Sequence, residues 1–202
     1  MTLVAETFAT QLKNAIGFSS LVNSTDMIAF ATAIINEVTG STFAGPVSGT
    51  APASGPLTGG AGSGVIAGIT PATLLSKLTS EMGRPATVQL SGLANAIAVN
   101  LALGVVGFSS GNIQGTCAGG VFTGLGVNGL ISGISGSAMA AAASAVFGGM
   151  TTQLSALCNT IASYIMSDTV AAYASGAVTG TYPPPPAVGG PMTGAGVGGT
   201  FS

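Results

Sequence analysis

The 202-residue chain has no histidine and only eight charged side chains: Glu6, Lys13, Asp26, Glu37, Lys77, Glu81, Arg84 and Asp168. Each shortage removes a class of function. Gly107-Phe108-Ser109-Ser110-Gly111 fits GxSxG, but no imidazole is present to take a serine proton, so it is not read as a nucleophile elbow. The five carboxylates are scattered singly and form no acid–base pair. Asp26 and Asp168 fall near helix starts or bends, where capping is the ordinary role. Three cations cannot neutralise several phosphates, so no nucleic-acid partner is expected, and no basic stripe is present to hold anionic lipid. Two cysteines, Cys117 and Cys158, with no histidine fall short of a zinc site. They read as reduced, mostly buried thiols, with a disulfide as the alternative. No catalytic, cofactor-binding or metal-binding residue is expected, and no small-molecule substrate.

Long apolar runs are also missing. Ala96 to Phe108 is broken by Asn100 and two glycines, and Ser137 to Met150 is mostly alanine; both fall short of the roughly 20 residues of a spanning helix. MTLVAETFATQLKNAIGF lacks a basic stretch followed by an apolar run, so the expectation is cytoplasmic synthesis with no signal peptide and no transmembrane helix.

What is present is apolar and small. Charged residues are 4% of the chain, against about 25% in typical soluble proteins, and 33 residues are glycine. Disordered chains are poor in aliphatics and rich in charge, the reverse of this composition. The chain reads as ordered, with surface hidden against copies of itself, other proteins or lipid.

An internal repeat organises it. TVQLSGLANAIAVNL at 87–101 returns as TTQLSALCNTIASYI at 151–165, keeping Thr, Gln-Leu-Ser, Leu, Asn and Ile-Ala. STDMIAFATAIINEV at 24–38 is a third copy, with Phe30 and Ile34 echoing Leu93 and Ile97. GVIAGITPATLLSKL from Gly64 resembles GLISGISGSAMAAAA from Gly129, and TFATQLKNAI holds the corresponding place in the first unit. A glycine cassette follows each helical pair: GPLTG from Gly55, GVFTG from Gly120 and GPMTG from Gly190. GLGVNG at 124–129 and GAGVGG at 194–199 fit GxGxxG but belong to these cassettes, so they are not read as dinucleotide sites. Gly64xxxGly68 and Gly129xxxGly133 resemble helix-association spacing but lie outside any 20-residue apolar segment, which leaves that signal weak.

Within a unit, Thr70-Pro71 and Gly83 bound a helix over 71–82. A second runs over 87–103, with Leu90, Leu93, Ala94, Ile97, Ala98 and Leu101 on one face. Its copy uses Leu154, Leu157, Cys158, Ile161, Ala162 and Ile165. Asn95 and Asn159 fall at equivalent positions of the repeated helix and read as solvent-exposed, with a buried register-fixing role as the alternative. The Gly/Pro/Thr/Ser-rich stretches 39–69, 104–135 and 177–202 are expected to be extended arms that pair as irregular strands or lie along neighbouring subunits. Pro183 to Pro186 should hold the last as polyproline II.

The expected fold is therefore mainly α, with three tandem repeats of a helix pair and a long arm: 1–69, 70–135 and 136–202. A nearly uncharged Ala/Gly-rich chain with TAPASGPLTGGAGSG and TYPPPPAVGGPMTGAGVGG segments resembles small structural proteins of tailed-bacteriophage virions, such as tail, collar or baseplate components. That resemblance implies a virion location, self-association and virion structural proteins as partners, and arms that clamp neighbours where threefold and sixfold parts meet. The alternative is a membrane-active protein whose Ala-rich helices insert during genome delivery or lysis.

Overall fold

The structure, a computed structural model, describes residues 3–17, 25–183 and 190–202. It overturns the mainly α expectation. Among the described residues there are six helices and an eight-stranded antiparallel sheet, so the fold is mixed α/β rather than a tandem array of helix pairs. The chain forms two compact units, each drawn from three separate segments: 1–40, 68–104 and 133–169 in the first, and 41–67, 105–132 and 170–202 in the second.

The first unit holds α1 (Ala5–Ala15), α2 (Thr25–Thr39), α3 (Pro71–Met82), α4 (Val88–Ala102), α5 (Gly136–Phe147) and α6 (Thr152–Asp168). Local chemistry sets the ends. Thr70 and Thr73 form a reciprocal capping box at α3, with Pro71 in the first turn, and Gly83 stops the helix in the left-handed region at φ 60°. Thr87, Ser135 and Thr151 cap α4, α5 and α6 through the backbone N–H three residues on. Consecutive helices pack on one another and α1 packs on α6, so the six close into a ring. Leu93, Ala94, Ile97, Ala98 and Leu101 are buried, as are Leu154, Cys158, Ile161, Ala162 and Ile165. Asn95 and Asn159 are exposed. The buried asparagine is instead Asn100, whose Nδ2 donates to the Ala96 carbonyl at 2.9 Å.

The second unit holds β1 (Thr42–Ala51), β2 (Gly55–Pro56), β3 (Thr58–Ala67), β4 (Val105–Phe108), β5 (Ile113–Ala118), β6 (Val121–Ser132), β7 (Val170–Thr181) and β8 (Gly190–Phe201). These are the stretches read as arms. β1 lies between β3 and β8, β4 between β3 and β6, and β7 between β8 and β6, so the sheet closes on itself. β5 continues β4 along the same edge of β6, and β2 continues β3 against β5. The result is a small barrel of three hairpins. Of the tetraproline, only Pro183 is described; Pro184 to Pro186 lie outside the described residues.

Aromatic rings fill the barrel. Phe43, Phe108 and Tyr173 stand 65 residues apart in the sequence, and their ring centroids lie 5.8, 4.7 and 5.1 Å from one another, with Phe201 5.0 Å from Phe43. Such rings fit a narrow barrel only where the facing positions are small. A Cβ placed on Gly196 would lie 2.4 Å from the Tyr173 ring, one on Gly199 2.3 Å from Phe43, and one on Gly129 2.7 Å from Phe108. The cassettes divide their work in the same way. Phe122 and Met192 are buried and Leu57 is half-buried, while Thr58, Thr123 and Thr193 face out. The closing glycines of the second and third cassettes sit where neighbouring backbones touch: a Cβ on Gly124 would lie 2.0 Å from the Gln114 carbonyl oxygen, and one on Gly194 2.1 Å from that of Thr179.

This arrangement makes a measurable contrast. Gly194→Val should force β7 and β8 apart and lower the thermal midpoint by about 6–12 °C, a loss of about 3 kcal/mol. Gly107→Ala, whose new methyl group meets nothing nearer than the Leu130 carbonyl at 4.0 Å, should leave the midpoint within about 2 °C. Calorimetry on the two variants checks the expectation; equal midpoints would refute it.

Candidate functional site

All eight charged side chains lie in the helical unit, and none lies in the barrel unit. They are concentrated at one of three related seams, where one helix pair meets the next. Between α2 and α3, Arg84 pairs with Asp26, Asn36 donates to Glu81 at 3.3 Å, and Lys77 Nζ lies 3.0 Å from Glu37 Oε2. Glu37 is 2% exposed. Its Oε1 accepts from the Thr70 N–H at 3.2 Å and from the Thr73 hydroxyl. Lys77 Nζ also donates to the Asn36 carbonyl at 2.7 Å, so the ammonium bridges the Glu37 carboxylate and the α2 backbone.

The repeat alignment places Asn100 and Tyr164 at the position of Glu37, and all three are buried. Each seam nevertheless uses different chemistry. At α4 and α5, small residues allow close approach: a Cβ on Gly92 would lie 2.4 Å from the Val146 side chain. At α6 and α1, the rings of Phe8 and Tyr164 stack at 4.3 Å, and the Tyr164 hydroxyl both accepts from the Val4 N–H and donates to its carbonyl, at 2.9 Å each. Burial pushes the Tyr164 hydroxyl above its ordinary range; the Val4 backbone opposes the shift and the Asp168 charge adds to it. The three seams are therefore unlike, although the helix pairs they join are similar in sequence.

Two of the three buried tyrosines, Tyr164 and Tyr173, contrast a bonded with an unbonded hydroxyl. Burial also raises the Tyr173 hydroxyl, against a weaker pull from the Gly45 backbone, yet among the described residues it has no partner in hydrogen-bond geometry. Tyr173→Phe should be neutral or stabilising, whereas Tyr164→Phe should cost about 1–2 kcal/mol because Val4 loses its partner. Urea midpoints of the two variants test the difference; a more damaging Tyr173→Phe would contradict it. The Tyr164 contribution should be complete below pH 10 and fall as pH rises through the raised hydroxyl value.

At one end of the helical ring an apolar cavity of about 550 Å³ is lined by side chains from every helix pair. The lining follows the repeat. Ile16, Met82 and Phe147 come from the ends of the first helices, and Phe30, Leu93 and Leu157 from matching turns of the second. The polar contributors are Asp26, already paired with Arg84, and Thr151 and Gln153.

The short motifs set aside on sequence grounds have ordinary places. Ser109 follows β4 in a turn that leads into β5, a strand–turn–strand path with no helix. GLGVNG lies within β6 and GAGVGG within β8. Cys117 and Cys158 are free and buried. Burial raises the Cys117 thiol and pushes that of Cys158 up to about 11, which suits packing rather than nucleophilic chemistry. Among the described residues no three potential metal ligands come together, and no helix is long and apolar enough to cross a membrane.

Sequence reasoning missed the aromatic trio and the buried position shared by Glu37, Asn100 and Tyr164. The 65-residue spacing of Phe43, Phe108 and Tyr173 was the available signal for the trio. The second set changes residue type in every copy, so only its register in the repeat marks it. No family model, curated protein or solved structure matches the chain.

Proposed function

We propose that the chain is a non-enzymatic structural subunit of a large assembly, most concretely a phage virion in which it serves as a tail, collar or baseplate component. The observation carrying this reading is double closure: three similar segments complete a ring of helices and a ring of strands within one chain. A chain with three related units supplies three similar surfaces to neighbours around an axis, so one copy matches a threefold or sixfold partner ring. Its scarcity of charge, 4% of residues, favours protein contact over free solution.

The strands pair with one another inside the chain, which occupies their backbone edges. Contact with neighbours is therefore read as face against face rather than as a donated strand. The test is location and copy number: quantitative mass spectrometry of purified particles from cells that encode the chain. A fixed low stoichiometry, a small fraction of that of the major shell or tube protein, is expected. Absence from particles, with the chain recovered free in the lysate, would overturn the reading.

A further inference from the structure

Asn128 is the one asparagine of the chain that is followed by glycine, and it stands at a break in the barrel ladder. On one side of β6, pairing with β5 ends at Gly126 and pairing with β4 takes over at Leu130. On the other side, β6 advances three residues from Gly126 to Gly129 while β7 advances two, from Tyr173 to Ala171, which makes a bulge. Val127 and Asn128 therefore fall outside the ladder on both sides, and Asn112 holds them instead. The Val127 N–H donates to the Asn112 carbonyl at 2.9 Å, and the Asn128 carbonyl accepts from Asn112 Nδ2 at 3.2 Å. Both bonds hold backbone atoms of β6. Asn128 is exposed, and its side-chain amide takes part in neither bond.

The backbone explains why an asparagine can stand there. Among the described residues Asn128 is the one non-glycine residue in the left-handed region, at φ 54°, which asparagine tolerates better than most residues. The third cassette has Gly198 at the same place, at φ 62°. The fold thus requires the backbone conformation at this position and not the amide.

We infer that Asn128 is a self-modification site at which the side-chain amide is lost to the following backbone nitrogen. The Gly129 nitrogen gives up its proton to water and attacks Cγ of Asn128. A bond forms between that nitrogen and Cγ, the bond from Cγ to Nδ2 breaks, and the amide group takes a proton and leaves as ammonia. Water then opens the five-membered imide at either carbonyl, which yields aspartate or isoaspartate. Water is the one co-reactant, and nothing is oxidised or reduced. Glycine at 129 presents no side chain to hinder its own nitrogen, whereas every other asparagine precedes a residue that has one.

Either product puts a first charged side chain into the barrel unit, which has none. Isoaspartate also lengthens the β6 backbone by one carbon directly before Gly129. That glycine has no room to move: a Cβ on it would lie 2.7 Å from the Phe108 ring and 3.1 Å from the Ala171 side chain. The barrel should therefore loosen as isoaspartate accumulates. This inference stands apart from the assembly reading and does not depend on it.

The experiment ages the full native chain in heavy-oxygen water, at neutral and at mildly alkaline pH and below its thermal midpoint, and follows it by peptide mass spectrometry. The Asn128 peptide should show the amide-to-carboxyl mass change with heavy oxygen in the new carboxyl. It should do so ahead of every other asparagine, and faster at the higher pH because the attacking nitrogen must lose its proton. The thermal midpoint of the aged protein should fall over the same period. Asn128→Gly, which the example of Gly198 shows to suit the backbone, should keep its midpoint when aged in parallel. An Asn128 that stays intact in the native chain, whether or not it converts in a urea-unfolded sample, would overturn the inference. So would an equal fall of the midpoint in Asn128→Gly.

Discussion

A chain ending at Gly176 is expected to keep most of its helical circular dichroism, lose its sheet signal and aggregate. Residues 177–202 contribute the end of β7 and all of β8, including the buried Val178, Tyr182, Met192 and Phe201. Their removal leaves β1 without its β8 partner, and leaves β6 without most of its β7 partner. Two edges then expose unpaired backbone groups, and unprotected edges are templates for intermolecular pairing. No charged side chain in this unit guards them. Without the barrel, the segments between helix pairs become loops of about thirty residues, and loop-closure entropy rises only slowly with length. The helices, capped locally and packed on each other, should therefore outlast the sheet. Circular dichroism and light scattering of the truncated chain check this; a soluble protein with full sheet signal would show that the barrel does not need its closing hairpin.

Ile97→Asp should be the most damaging single change in the helical unit, and markedly worse than Leu93→Asp. The two residues sit one turn apart on α4 and look equivalent in the repeat. Ile97 is fully buried, whereas Leu93 is 9% exposed and borders the apolar cavity. A carboxylate at 97 must be desolvated without a partner, or be protonated to avoid charge, and either costs on the order of 4 kcal/mol or more. At 93 the same carboxylate can turn toward water in the cavity, so the loss should be about 2 kcal/mol. Urea denaturation of the single variants measures the gap. Equal destabilisation would mean that the cavity is closed to water at Leu93.

The helical half was legible because its signals are local. Thr70-Pro71, Gly83, Thr87 and Thr151 act within one turn, and the spacing of Leu93, Ile97 and Leu101 states which face is buried. The strands were less legible because their main residue is glycine, which normally weakens a strand and signals a turn. Gly124, Gly194 and Gly196 act differently: they make room for a neighbouring carbonyl or a ring that reaches them across the barrel. Nothing within a short window identifies that neighbour. Asn95 and Asn159 are exposed, as read from the repeat, whereas the buried asparagine, Asn100, shares its repeat position with Glu37 and Tyr164, so no repeated residue type marks it.

The amino-acid sequence by itself determined the threefold repetition, the bounds of α3 and α4 to within a residue, the scarcity of charge and the lack of histidine chemistry, because each is a matter of which residues stand where along the chain. Only the tertiary structure decided that three arms become one closed sheet, that all charge collects in the helical unit, and that Tyr164 seals α6 to α1 through Val4. Those outcomes depend on pairing between residues as far apart as Phe43 and Gly199, or Val4 and Tyr164. Partners at such separations meet only once the chain has folded, when the aromatic side chains of one segment can fill the space left by the glycines of another.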